Sequence, residues 1–203
     1  HIDFFRWLSL VISVPAVLAV VAALVLGGQL QPLGPGAADE KAELLVAGSV
    51  SNFTLFARPK PVPPATFQDG EGRELDLSAF RGKVVLVNLW ATWCLPCRME
   101  MGSLDRLQAK LGTKDFAVVA ISMDRTGLAT VKKFFQEIEI KNLALYIDDT
   151  MKSGRAFGAR GLPVSFLVNR EGLEVGRLNG PAEWDTEEAV ALVRRFIEPV
   201  AAR

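Results

Sequence analysis

A run of strand-forming residues, Val84 to Trp90, leads directly into Trp93-Cys94-Leu95-Pro96-Cys97, and the residues that follow take on helical spacing. An apolar run without alternation reads as a strand buried on both faces, so the chain around it must supply helices on both sides of a sheet. The first turn of a helix carries unpaired backbone N–H groups and a partial positive charge. A cysteine placed there loses its proton more easily, and the thiolate is the reactive species. Cys94 and Cys97 are the only cysteines of the chain. The order strand, Cys-x-x-Cys, helix therefore predicts thiol–disulfide chemistry.

Other uses of such a pair fit less well. A tetrahedral zinc site needs two further ligands, and the single histidine is His1, across a long apolar segment. A bridge between residues three apart closes almost no loop, so a purely structural disulfide would stabilise little. Peroxide-reducing enzymes of related build carry threonine three residues and proline seven residues before the nucleophile. Here those places hold Ala91 and Val87.

Half of the 203 residues are hydrophobic, and the excess sits at the N-terminus. Trp7 to Leu26 contains no charge, and none follows until Asp39. About 20 apolar helical residues span a ~30 Å hydrocarbon core. The length exceeds the ~7–15 residues of a signal-peptide core, so an uncleaved anchor over residues 1–28 is expected, with Pro15 as a tolerated kink. Arg6 and Asp3 offset each other before it, so the positive-inside rule does not orient it. Beyond the anchor, basic and acidic residues balance, which gives no basic stripe for nucleic acid.

Residues 29–65 read as a Pro/Gly/Ala-rich linker, with a short helix at Glu40 to Val46 and a stiff stretch at Pro59 to Pro64. Residues 66–203 read as one α/β domain. Short strands at Thr66–Gln68 and Arg73–Asp76 flank the turn Asp69-Gly70-Glu71-Gly72. A helical turn at 78–82 precedes the buried strand over 83–90. Cys97, Met101, Leu104, Leu107 and Leu111 mark the inner face of the next helix. A strand at Phe116–Ser122 follows, then a helix marked by Leu128, Val131, Phe134, Phe135 and Ile138. A strand at Leu143–Ile147, a short helix at Met151–Phe157 and a hairpin of Val164–Asn169 with Leu173–Leu178 come next. A final helix is capped by the pair Asp185 and Glu188, with Leu192, Val193, Phe196, Ile197 and Val200 inward. Strands alternating with helices, then a hairpin and a helix, predict a mixed sheet flanked by helices.

Phe80-Arg81-Gly82-Lys83 through Trp93-Cys94, together with Glu100, Gly161-Leu162-Pro163 and Gly180-Pro181-Ala182-Glu183-Trp184, resembles the TlpA/ResA group of membrane-anchored thioredoxin-fold proteins. The resemblance covers about residues 66–197 and lies nearest the TlpA branch. It implies a thioredoxin-like fold and protein-disulfide reductase activity, with no cofactor and no bound metal. Cys94 matches the exposed attacking cysteine and Cys97 the resolving one. Glu100 matches a glutamate near the two sulfurs. Thioredoxins carry a buried aspartate where this chain has Asn88, which cannot exchange a proton, so Glu100 is expected to take that role. Taken alone, Glu100 also reads as a solvated carboxylate of the helix's first turns. Pro163 matches the proline whose preceding bond is cis; Leu162, Pro163 and Trp93 are the expected partner-binding residues.

Two positions depart from the group. Gly102 stands where a helix-kinking proline is usual, and Val164-Ser165 follows Pro163 where threonine or proline-threonine is common. The resemblance further implies a bacterial inner-membrane protein with its catalytic domain in the periplasm and a membrane thiol transporter as electron donor. Its partners would be copper-centre assembly proteins of cytochrome oxidase, or apocytochrome c before haem attachment. A copper-binding assembly factor of Sco type shares the fold. Such factors use two more widely spaced cysteines and a distant histidine, which this chain lacks.

Overall fold

The computed structural model describes residues 46–198. The expected anchor at 1–28, all but the last residue of the short helix at 40–46, and Val200 lie outside them. Among the described residues, no helix is long and apolar enough to cross a membrane.

Among the described residues eight strands form one sheet: β1 (Thr54–Pro61), β2 (Thr66–Asp69), β3 (Glu74–Asp76), β4 (Val84–Trp90), β5 (Phe116–Ser122), β6 (Tyr146–Ile147), β7 (Val164–Val168) and β8 (Leu173–Asn179). Their spatial order is β1-β8-β7-β4-β5-β6-β2-β3. β4 pairs parallel with β5 and antiparallel with β7, and every one of its residues is buried. The helices are α1 (Leu95–Leu111), α2 (Leu128–Glu137), α3 (Lys152–Ala156) and α4 (Glu187–Ile197). Each falls within a stretch read as helical, and the mixed sheet flanked by helices expected from the strand–helix alternation is present.

Two apolar clusters cover the two faces of the sheet. Because side chains alternate along a strand, Leu86 and Trp90 of β4 join α1, α2 and α4 in one cluster. Val85, Val87 and Leu89 join Phe67, Ile121, Phe157 and Phe166 in the other. The same alternation points Asn88 to the α1 side, so a polar residue stands in the middle of the first cluster's floor. The α1 helix runs unbroken through Gly102, so glycine in place of the group's proline leaves a continuous helix.

Four expectations are corrected. The stretch read as linker contains strand β1, which pairs antiparallel with β8, while Val50 and Phe53 just before it are buried in the α1-side cluster. Gly176 explains the close fit: a side chain there would put its Cβ 2.5 Å from the Phe53 ring and 2.6 Å from the Thr54 carbonyl oxygen. The strand expected over 143–147 shrinks to β6. The backbone N–H groups of Lys141, Asn142 and Leu143 instead donate to the Asp105 carboxylate on α1, at 3.2, 2.7 and 3.0 Å. The cap of α4 is Thr186, whose hydroxyl accepts from the Ala189 N–H, rather than the pair Asp185 and Glu188. Asp185 is drawn away by Arg106, whose Nε donates to it at 2.6 Å. Ile138, expected on the inner face of α2, lies just past its end and is exposed.

Candidate active site

Cys94 is the N-cap of α1, with extended backbone, and its Sγ accepts from the Cys97 N–H at 3.4 Å. Pro96 occupies the first turn, where a missing N–H costs nothing. The two sulfurs are joined as a disulfide. Cys97 is fully buried on the apolar face of α1. Cys94, expected to be exposed, is only 6% exposed. Its surroundings explain this: the cap position folds the side chain back over the helix N-terminus, while Trp93, Leu95 and Met99 stand outward with 67–71% of their surface free. The disulfide thus sits at the base of an apolar collar, with a small edge open to solvent.

Glu100 lies one turn beyond Cys97 and is 1% exposed, which excludes the solvated-carboxylate alternative. Its Oε1 accepts from Asn88 Nδ2 at 2.7 Å and its Oε2 from the Ala182 N–H at 3.0 Å. Asn88 Nδ2 also donates to Ser165 Oγ at 3.0 Å; these two residues face each other in the β4–β7 ladder. The Oδ1 atom of Asn88 and the indole nitrogens of Trp90 and Trp184 are buried and find no hydrogen-bond partner among the described residues. Burial pushes the Glu100 carboxyl up from 4.5 to about 7, against the lowering effect of the Asn88 and Ala182 hydrogen bonds. The Trp184 indole exerts a further lowering pull without reaching hydrogen-bond geometry, and the Glu183 charge adds to the rise. A carboxyl poised near neutrality on the same helix as Cys97, one turn further on, is suited to exchange protons with a thiol.

The Leu162–Pro163 peptide bond is cis. Pro163 is buried, its carbonyl accepts from the Gly180 N–H at 2.9 Å, and Leu162 packs against the cluster that contains both cysteines. Among the described residues, no three His, Cys, Asp or Glu side chains converge as a metal cluster.

The structure adds residues that the sequence left unassigned. Ser165, in sequence only a departure from the group, shares the Asn88 amide with Glu100. Strand register would have placed it there, since 88 and 165 face the α1 side in adjoining strands. Asp124 has no local sequence signal. Its carboxylate is buried and holds Thr92, two residues before Cys94.

The Redoxin family profile matches residues 58–193 of the chain. The thiol-disulfide oxidoreductase ResA of Bacillus cereus is 33% identical over 147 residues, covering 68% of this chain and 84% of that protein. ResA of Bacillus subtilis is 28% identical, covering 68% and 74%. Among solved structures, a protein described as thiol:disulfide interchange protein DsbE from Chlorobium tepidum superposes with a TM-score of 0.63 at 27% identity, covering 71% of this chain and all of that one.

Proposed function

Starting from a chain that belongs to the Redoxin family, and to its ResA-like thiol-disulfide oxidoreductases, we propose that it works as a reductase of disulfides in partner proteins. The Cys94 thiolate attacks one sulfur of the partner disulfide. That S–S bond breaks, the second partner sulfur leaves and takes up a proton, and a mixed disulfide joins Cys94 to the partner. Cys97 then loses its proton and attacks Cys94 Sγ. The Cys94–Cys97 disulfide forms as the bond from Cys94 to the partner breaks, the released partner sulfur takes up a proton, and the partner leaves as a dithiol, two electrons richer. Glu100 accepts the Cys97 proton in this step, a task its near-neutral carboxyl suits.

The observation that carries this reading is the pairing of a disulfide at a helix N-terminus with a buried carboxyl one turn further on. The apolar collar supports the rest. Trp93, with Leu95 and Met99, offers a partner segment a surface beside Cys94, and Leu162 and Pro163, whose shared bond is cis, are the further residues we propose for binding it. The setting we propose is periplasmic, with residues 1–28 as a single-pass inner-membrane anchor. A membrane thiol transporter returns two electrons after each turnover. The partners are disulfide-containing proteins of copper-centre assembly in cytochrome oxidase.

The test is capture. A Cys97→Ser variant keeps the attacking thiol and removes the resolving one, so it should accumulate mixed disulfides through Cys94. Peptide mapping then identifies the partners; copper-assembly proteins are the expected catch, and apocytochrome c would redirect the reading to cytochrome maturation. Capture by Cys94→Ser in place of Cys97→Ser would overturn the assignment of the two sulfurs. Tight copper binding without reductase turnover would favour an assembly factor.

A further inference from the structure

The parallel register of β4 and β5 ends with Trp90 opposite Ser122. The Met123 N–H still reaches the Trp90 carbonyl at 2.7 Å, and there the two chains leave the sheet side by side. Two residues past that last pair stand Thr92 on one chain and Asp124 on the other. Asp124 is 1% exposed. Its Oδ2 accepts from the Thr92 N–H at 2.8 Å and from Ser122 Oγ at 2.7 Å, and its Oδ1 accepts from Thr92 Oγ1 at 2.6 Å. No ion pair reaches it among the described residues. A buried carboxylate without a cation is costly, and convergent donors are what make it tolerable. Two of the three donors belong to Thr92. An asparagine would offer a single acceptor oxygen and turn an N–H₂ group toward a donor.

Thr92 is the second residue of the turn Ala91 to Cys94, which the Cys94 N–H closes on the Ala91 carbonyl at 3.1 Å. We infer that Asp124 is a positioning residue for Cys94: its two-point grip on Thr92 fixes the turn that sets Cys94 Sγ against the N-terminus of α1. The grip acts on the backbone N–H and the hydroxyl together, so it sets both the path of the turn and its rotation. The inference rests on Cys94 being the attacking sulfur. It adds why that sulfur keeps its capping geometry when the disulfide opens and no bond to Cys97 holds it.

The experiment measures the rate at which iodoacetamide alkylates Cys94 in the reduced full-length protein, as a function of pH, with the modified peptide identified by mass. Thr92→Val removes the hydroxyl donor, keeps the shape and leaves the backbone N–H. It replaces none of the titratable or charged groups on the elements around Cys94, which are Cys97, Arg98 and Glu100 on α1 and Asp124 after β5, and takes from Asp124 only the hydroxyl donor whose grip is under test. A shift in the profile therefore reports position. The midpoint should rise by about half a pH unit or more in Thr92→Val, a roughly threefold change in the thiol–thiolate equilibrium. Thr92→Ser, which restores the donor, should return it to the unsubstituted value. If Thr92→Val does not fold, Thr92→Ala makes the same comparison. An unchanged midpoint with only a lower unfolding midpoint makes Asp124 a purely structural residue and overturns the inference. Alkylation of Cys97 ahead of Cys94 in the unsubstituted protein overturns the attacking-sulfur reading itself, which the peptide assignment separates from the first outcome.

Discussion

Replacing Glu100 by glutamine should remove most of one group's pH dependence from the stability of the fold. The carboxyl titrates at 4.5 when free and at about 7 in the folded protein, with burial as the main cause. The folded state therefore binds the proton more tightly than the unfolded state. Stability from this group is fully present below about 4.5 and is lost as pH rises through about 7. Between pH 5 and pH 8 the loss integrates to about 2–3 kcal/mol. Glutamine resembles the protonated acid: one oxygen remains to accept from Asn88 Nδ2 or from the Ala182 N–H. At pH 5 the two proteins should then agree within about 1 kcal/mol. At pH 8 the variant should be the more stable. Urea unfolding of the oxidised protein, followed by tryptophan fluorescence at several pH values, measures the gap. With an m-value of about 2 kcal/mol/M, the two midpoints should move apart by about 1 M over that range. Every other titrating group is common to both proteins and cancels. A gap that stays constant from pH 5 to pH 8 would falsify the raised carboxyl, and with it the proton-transfer role, since a Glu100 of ordinary acidity titrates alike in the folded and unfolded protein and adds no pH dependence to stability.

Two more outcomes follow from the same site and its frame. Leu95 and Pro96 between the cysteines bring no charge and no side-chain donor to the Cys94 thiolate, so the potential should lie nearer about −270 mV than about −120 mV. Equilibration with a dithiothreitol redox buffer measures it, and a value above about −180 mV would point to an oxidase or isomerase. Thr186→Ala should cost about 1 kcal/mol in urea unfolding through loss of the α4 cap. Asp185→Ala, which breaks a pair with the exposed Arg106, should cost less; the reverse order would return the cap to Asp185.

What the sequence made legible was set by local pattern. The continuous apolar run at Val84–Trp90, the period of α1 and the Cys-x-x-Cys at its start depend on neighbours a few residues apart, and each was readable. What escaped depends on partners far along the chain. β1 is proline-rich and mostly exposed, so nothing in its composition distinguishes it from a linker; pairing with β8 makes it a strand. The backbone at 141–143 has strand-forming neighbours but finds a carboxylate 36–38 residues earlier as its acceptor. Asp185 looked like a cap because Glu188 follows at the right spacing, and Arg106 on another helix decided otherwise. At the site, Glu100 could be placed by its position but not by its burial, which comes from Asn88 and from the turn before Trp184. Asp124 carried no local signal, because its meaning lies in the register of a parallel strand pair.

The margins of the sheet bear on what this protein can meet without sticking to it. An unpaired strand edge is a template on which a foreign extended chain can lengthen the sheet. Here one margin is β1, which carries Arg58 and Lys60 and two prolines, Pro59 and Pro61, that have no N–H to offer. The other is β3, only three residues long. Charge and proline blunt the first edge, and brevity blunts the second. A thiol-disulfide oxidoreductase meets other proteins, some with unpaired strands, and this sheet gives them little to zip onto. Contact is thereby steered away from the sheet's rims and toward the apolar collar around the cysteines, where Trp93, Leu95 and Met99 stand exposed.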